Sequence, residues 1–208
     1  MVGGCSGNYF NAVTPSEQDN DADADRDLMR LVAPGDRDAF RNLVEAHQHR
    51  VVGTIAKMLG DTRDAEDLGQ QVFLRIWNSA ARYEPRAKFT TWLYAITRNL
   101  VFNEIRRRER AKADSLDARI AAGGDSFMDF SAIQADESML QRELEDAVQA
   151  AIEALPAAQR MAVVLRRYED LSYDEIAAVM ELSVSSVKSL LFRARSELKE
   201  RLENYLNG

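Results

Sequence analysis

The 208-residue chain has a formal net charge of −7 and is 46% hydrophobic, which fits one large or two small soluble domains. No window approaches the run of about 18 apolar residues that spans a bilayer, and the start MVGGCSGNYF lacks the basic and apolar regions of a secretory signal. The lone Cys5 excludes an intrachain disulfide and fits a reducing cytoplasm. The net charge hides an alternation. Residues 17–27 (EQDNDADADRD) and the stretch Asp114 to Asp146 are acidic, whereas Arg86 to Lys112 and Lys188 to Arg201 are basic. That pattern predicts two basic surfaces joined by acidic connectors.

Residues 1–25 show no periodicity and read as a disordered acidic extension. A short helix is expected around Arg26–Ala33, ended by Pro34-Gly35. Asp36 then caps a helix with Phe40, Leu43, Val44, Val51, Ile55 and Leu59 at steps of three, four and seven, and Gly60 ends it. Asp61 or Thr62 opens a third helix with Ala65, Leu68, Val72, Phe73 and Ile76 on one side. Its other side carries Asp64, Asp67, Gln71, Arg75 and Asn78, a polar face that by itself would ordinarily be only solvated. A loop with Tyr83, Pro85 and Arg86 leads into the helix WLYAITRNLVFNEIRRRER, Trp92 to Arg110. There Leu93, Ile96 and Leu100 fall on the core side, while Trp92, Asn99, Asn103 and Arg106 share another face with Arg107 beside it. For Leu93, Tyr94 and Phe102, packing fits as well as surface contact.

Residues 113–139, acidic and containing Gly123-Gly124, read as a flexible linker. Helical periodicity returns at Leu140, Leu144, Val148, Ala151 and Leu155, and Pro156 starts another helix through Tyr168. Ser172 and Glu175 form a capping box. Ile176, Ala177 and Val179 supply a short buried face, Glu181-Leu182-Ser183 a tight turn, and Ser183 a cap for the next helix. That helix turns Val184, Val187, Leu191, Ala194 and Leu198 inward, and Ser185, Ser186, Lys188, Ser189, Phe192 and Arg193 outward. Two short helices around a three-residue turn describe a helix-turn-helix, with hydroxyls and Lys188 near phosphates or base edges and Arg193 and Arg195 on phosphate. A plain surface helix with cations suited to the macrodipole would leave the capped helix before it unexplained. No segment alternates long enough for a strand. The expected fold is all-α, two small helical domains at 26–112 and 140–206 joined by the linker 113–139.

Three stretches together resemble the extracytoplasmic-function (ECF, group IV) sigma factors of bacterial RNA polymerase, in the sigma-70 family: DAEDLGQQVFLRIW (Asp64–Trp77), KFTTWLYAITRNLVFNEIRRR (Lys88–Arg108) and the segment Ala154–Leu198. The resemblance covers about residues 26–206. It implies that 26–112 is a region 2 domain for core polymerase binding, −10 recognition and melting, and that 140–206 is a region 4 domain for −35 recognition. Asp64, Asp67, Gln71 and Arg75 become a docking surface. Trp92, Asn99, Asn103, Arg106 and Arg107 become −10 contacts, in keeping with an aromatic that stacks on unpaired bases, amides that read their edges and arginines that hold phosphate. The loop Ala81 to Phe89 would wall a pocket for a rotated base. Ser185, Ser186, Lys188, Ser189, Phe192, Arg193 and Arg195 become −35 contacts. Leu190 departs from the family, which commonly has Arg there. Implied partners are core RNA polymerase at its β′ coiled coil and β flap, promoter DNA and an anti-sigma factor, for a cytoplasmic chain that does not itself insert into a membrane.

The competing expectation is a helix-turn-helix regulator that never touches polymerase. An enzyme is the weaker alternative: there is no Gly-rich phosphate loop and no nucleophile–base signature. His47 and His49, two apart on a helix, point away from each other and make a poor metal site; both are expected at the surface or between domains. No cofactor, metal or catalytic residue is expected. The acidic 17–27 run is a candidate to lie against the basic Arg106–Lys112 run.

Overall fold

The structure, a computed structural model, describes residues 15–84, 88–120 and 137–203. Among them are eight α-helices and no strand: α1 Pro15–Val32, α2 Arg37–Leu59, α3 Thr62–Ser79, α4 Phe89–Ile120, α5 Glu137–Glu153, α6 Ala157–Arg167, α7 Tyr173–Met180 and α8 Val184–Arg201, with a 3-10 turn at Ala80–Arg82. The fold is all-α, as the periodicity predicts. Local chemistry sets most ends. The Asp36 carboxylate accepts from the backbone N–H groups of Asp38 and Ala39 at 2.9 and 3.0 Å, and Asp61 caps α3 through Arg63 N–H at 2.8 Å. Gly60, at φ 70°, turns the chain out of α2.

α1 begins well upstream of Arg26, so residues 15–25 are helical rather than part of a disordered extension. The reason is electrostatic. Acidic residues suit a helix N-terminus, and Asp23–Arg26 and Asp27–Arg30 pair one turn apart at 2.6 and 2.9 Å. Met29 and Val32 then bury in the core. Of the two places expected for His47, the surface is excluded: its Nε2 lies 2.8 Å from Asp25 Oδ1, both side chains are buried, and the imidazole packs on Phe89 with ring centres 5.2 Å apart, on the wall of a cavity that Glu169, Leu171 and Glu175 of the second half also line. Asp23, Asp27 and Asp25 of α1 are thus engaged by Arg26, Arg30 and His47 respectively. α4 also continues to Ile120 and α5 starts at Glu137, so both ends of the expected linker are helical. No Gly or Pro interrupts the chain between residues 89 and 120. Residues 121–136, the rest of that linker, and residues 1–14 lie outside the described residues.

The core builds from the predicted stripes. Leu43, Val51 and Ile55 of α2 meet Ala65, Leu68, Val72, Phe73 and Ile76 of α3, and Leu93 and Leu100 of α4. Each fully buried Leu or Ile contributes roughly 1.5–3 kcal/mol relative to exposure. In the second half, Met161, Val164, Leu165, Ile176, Val179, Val187 and Leu191 do the same. The two halves do not stand apart. α2 packs on α5 and α6, and α4 packs on α6 and α7, so that one continuous apolar cluster takes in both.

Gly60 closes α2 at a left-handed backbone, and a Cβ there would meet the Glu153 carboxylate at 3.3 Å. Gly60→Ala should lower stability by about 1–2 kcal/mol, mainly from backbone strain. Urea denaturation tests this, and an unchanged midpoint would contradict it.

Candidate nucleic-acid interface

The helix-turn-helix is built by its caps. Ser172 Oγ accepts from Glu175 N–H at 3.2 Å, and the Glu175 carboxylate accepts from Ser172 N–H at 2.8 Å, which starts α7. At the far end Leu182 N–H reaches Ala177 C=O at 2.9 Å and Glu181 N–H reaches Ala178 C=O at 3.4 Å, a Schellman closure with Glu181 left-handed at φ 56°. Ser183 caps α8 by accepting from Ser186 N–H at 3.2 Å. These turns hold α8 with Ser185, Lys188, Ser189, Phe192, Arg193 and Arg195 exposed and Val187, Leu191 and Ala194 buried. Phe192 is 70% exposed, an unusual placement for a phenylalanine. Among the described residues Lys188 and Arg193 have no ion-pair partner. Arg195 instead donates to the Tyr173 hydroxyl at 3.3 Å, which ties α8 to α7. Ser186 is half-buried against the Ser183 hydroxyl at 2.8 Å, and Ser189 donates to the Ser185 carbonyl at 3.0 Å. Leu190 is half-buried and packs on the core.

On α4, Asn99, Asn103, Arg106 and Arg107 are exposed. Trp92 is half-buried in an aromatic cluster, with ring centres 5.2 Å from Tyr83 and 6.1 Å from Phe89. Leu93 and Tyr94 are buried, and Phe102 packs on the core. Charge is partly spoken for along this helix. Arg107 forks onto Glu104 with two bonds of 2.7 Å, and this, with Arg108, holds the Glu104 carboxyl below its ordinary pKa. Arg106 touches no carboxylate. It bonds Asn103 Oδ1 at 2.9 Å and the Phe102 carbonyl at 3.2 Å, which pre-orders an amide and a cation side by side. Residues 85–87, in the loop expected to wall a base pocket, lie outside the described residues.

On α3, Asp67, Gln71 and Arg75 are exposed, but Asp64 is tied to Arg108, so it joins α3 to α4 as well as facing outward. Leu74, 60% exposed on the same side, was not singled out from the sequence. The signal was there: a large apolar residue on an otherwise polar helix face. Arg98 was also missed. It is buried, and its Nη2 donates to Asn99 Oδ1 at 2.7 Å and to Glu181 Oε1 at 2.6 Å.

Two family models match the chain. Sigma-70 region 2 covers residues 43–111, and sigma-70 region 4 covers residues 145–198. The RNA polymerase sigma-H factor of Pseudomonas aeruginosa is 34% identical over 88% of this chain and 95% of its own. The chain belongs to the ECF branch of the sigma-70 family. The ECF RNA polymerase sigma factor SigW of Bacillus subtilis is 32% identical over 85% of this chain and 95% of its own. The ECF RNA polymerase sigma-E factor of Escherichia coli is 32% identical over 86% and 94%. Among solved structures, CnrH in complex with the cytosolic domain of CnrY aligns with a TM-score of 0.64 and 26% identity, covering 88% of this chain and 99% of that one. The sigma factor RpoE of Bartonella quintana, bound to the anti-sigma factor NepR, shares the fold at a TM-score of 0.60 and 24% identity over 79% and 96%. As an ECF sigma factor the chain directs transcription. The helix-turn-helix regulator unconnected with polymerase is not favoured, because both regions match in order on one chain. Among the described residues no helix is long and apolar enough to cross a membrane.

Glu175 serves two neighbours in this sigma factor: it closes the α7 cap and accepts from Lys88 Nζ at 3.2 Å. Burial pushes its carboxyl pKa up, but the bonds from Ser172 and Lys88 outweigh this and hold it below the ordinary value. A lowered folded pKa stabilises at all pH above the unfolded value, and that contribution is lost as pH falls through the folded value. Acid below the ordinary carboxylate range should therefore loosen α7 early. Amide hydrogen exchange would show residues 173–181 losing protection before α3, and Glu175→Gln should flatten that dependence. Equal acid lability of the two helices would contradict it.

Proposed function

We propose that this sigma factor docks on core RNA polymerase through the outer face of α3, reads the −10 element with α4 and reads the −35 element with α8. The supporting observation is that three separate exposed faces, each with its own chemistry, fall in order on one chain within the two matched regions. On α3, Asp67, Gln71 and Arg75 surround Leu74, with Asp64 at the edge, and an apolar anchor inside a polar rim suits a protein partner such as the β′ coiled coil. On α4, Asn99 and Asn103 offer amides to unpaired bases, Arg106 holds phosphate, Arg107 can join it only by leaving Glu104, and Trp92 supplies a stacking edge. On α8, Lys188 and Arg193 supply uncommitted charge, Ser185 and Ser189 supply hydroxyls, and Phe192 supplies an apolar contact in the major groove. Ser186 and Arg195 mainly hold the motif together. The region 4 domain contacts the β flap.

The chain performs no catalysis of its own; bond formation belongs to the polymerase, and the site of action is the cytoplasm. A protein that covers the same faces when transcription is not required, an anti-sigma factor, completes the set of partners. CnrH, a chain similar to this one, is held in its solved structure by another protein, the cytosolic domain of CnrY, which supports a protein partner on these faces.

Leu74→Ser and Asp67→Lys should each weaken holoenzyme assembly roughly tenfold or more, with helicity unchanged. Competition for core polymerase measures this, and wild-type affinity in both variants would refute docking through α3. Asp64→Lys is less clean because it also frees Arg108. For α8, Lys188→Ala or Arg193→Ala should cost about 1–3 kcal/mol if the residue reads a base, or weaken binding uniformly and lower the salt slope by about 1 if it holds phosphate. Promoter binding by holoenzyme across a salt series decides, and no change in either quantity for both variants would remove the −35 assignment.

A further inference from the structure

The two amides on the outward face of α4 are not free to turn. Asn99 and Asn103 stand one helical turn apart, both exposed. Arg98 Nη2 donates to Asn99 Oδ1 at 2.7 Å, and Arg106 Nη2 donates to Asn103 Oδ1 at 2.9 Å. A guanidinium carries only donors, so the atom facing each arginine is the carbonyl oxygen, and the Nδ2 group points away from it. Among the described residues neither Nδ2 has a hydrogen-bond partner. Both amides therefore offer N–H groups outward. The arginines are themselves fixed. Arg106 Nε donates to the Phe102 carbonyl at 3.2 Å, which holds the guanidinium along the helix and leaves Nη1 for phosphate. Arg98 is 8% exposed, its Nη2 also donates to Glu181 Oε1 at 2.6 Å, and its buried Nε finds no acceptor among the described residues. A buried guanidinium with an unsatisfied N–H is a costly way to brace a helix. What that position does supply is a fixed orientation for Asn99.

Fixed amides discriminate among bases. A free asparagine can pair its carbonyl and amino groups with adenine N6–H2 and N7 together. An amide whose oxygen is held by a cation cannot do so. An incoming N6–H2 would meet the N–H groups at Nδ2 and a positive charge beside Oδ1. Carbonyl oxygens of the bases suit such a surface instead. Guanine presents O6, cytosine O2, and thymine O2 and O4, whereas adenine is the DNA base that has no carbonyl oxygen.

We propose that Arg98 and Arg106 are positioning residues that lock Asn99 and Asn103 into a donor-only reading face, which selects carbonyl-bearing bases and rejects adenine where these amides meet the unpaired strand. The proposal rests on the −10 reading of the α4 face. Arg98 is buried and acts only through Asn99, whereas Arg106 serves both its amide and phosphate. The preference is set inside the protein before any DNA arrives, by which atom of each amide is tied back.

Holoenzyme reconstituted with the full chain tests this on DNA randomised across its unpaired −10 strand and its duplex −35 segment, with the bound fraction sequenced. Asn99→Ala and Asn103→Ala identify the positions these amides read, as the positions whose preference they erase. There the wild type should disfavour adenine roughly tenfold. Arg98→Met and Arg106→Met should each restore adenine at the position of its own amide, whereas Arg98→Lys, which keeps a donor, should not. A merely structural role for either arginine would lower binding to all bases alike and leave the preference where it was. A second arm replaces adenine at those positions with 2′-deoxynebularine, which lacks the N6 amino group. This should raise affinity several-fold for the wild type and lower it for the two methionine variants. Circular dichroism checks that each variant is helical; should Arg98→Met unfold, the exposed Arg106 and the nebularine arm decide. Adenine favoured at either position in the wild type, tighter binding of adenine than of nebularine, or an unchanged base profile in the folded methionine variants would overturn the proposal. If Asn99→Ala and Asn103→Ala leave the profile unchanged at every position, the −10 reading of the α4 face falls, and the proposal with it.

Discussion

A buried carboxylate has few acceptable positions. Glu169 is nearly out of water, and an uncompensated charge there would cost several kcal/mol. Every compensating donor comes from the other half of the chain, so α6 and the turn after it can sit only where Arg50, Thr54 and Tyr94 converge. The consequence is mutual. Burial, with the Glu169 charge beside it, pushes the Tyr94 hydroxyl well above its ordinary pKa, so it stays a donor at any physiological pH. Burial works against the Arg50 guanidinium, but the Glu169 carboxylate it bonds keeps it charged. Such a network adds little net stability over an apolar seam, but it specifies one geometry. From that geometry follow the contact of α4 with α7 and the closeness of the two reading helices.

Charge on the outer faces is distributed by competition. The chain is acidic overall, yet the basic blocks are not simply neutralised. Glu104 takes Arg107 and Arg108, Asp64 takes Arg108, and Glu181 takes Arg98. Lys188 and Arg193, on the outward side of the DNA-reading motif, remain uncommitted among the described residues of α8, as does Lys199 in its last turn. On α4, Arg106 is the arginine next to the exposed amides that no carboxylate holds. A local carboxylate therefore separates cations that brace the fold from cations available to phosphate, although both kinds look alike in the string RRRER.

Helix class, the order of elements, both caps of the helix-turn-helix and most of the core stripes followed from the sequence. These are local properties: apolar spacing of three and four, a serine three residues before a glutamate, a glycine where the backbone must turn left-handed. Leu43, Val51, Ile55, Val72 and Ile76 are buried for the reason their spacing gives. The outward set on α8 was legible on the same ground, because a helical wheel needs no partner. α1 was not legible upstream of Arg26, since a stretch rich in Asp and Ala has no apolar stripe there; the pairing of its Asp25 with His47 becomes visible only when α2 lies alongside.

The tertiary structure alone decided how the halves meet. His47 looked like half of a poor metal site until Asp25, 22 residues away, supplied its partner. Glu169 looked like one more acidic residue before a turn, and its three donors lie 119, 115 and 75 residues distant in the chain. Asp64 and Arg108 gave no sign in sequence that they would find each other. Local periodicity records which side of a helix is apolar, and so determines helices, caps and outward faces. It carries no record of which buried polar group satisfies which, because that pairing exists only once distant segments share the same low-dielectric space.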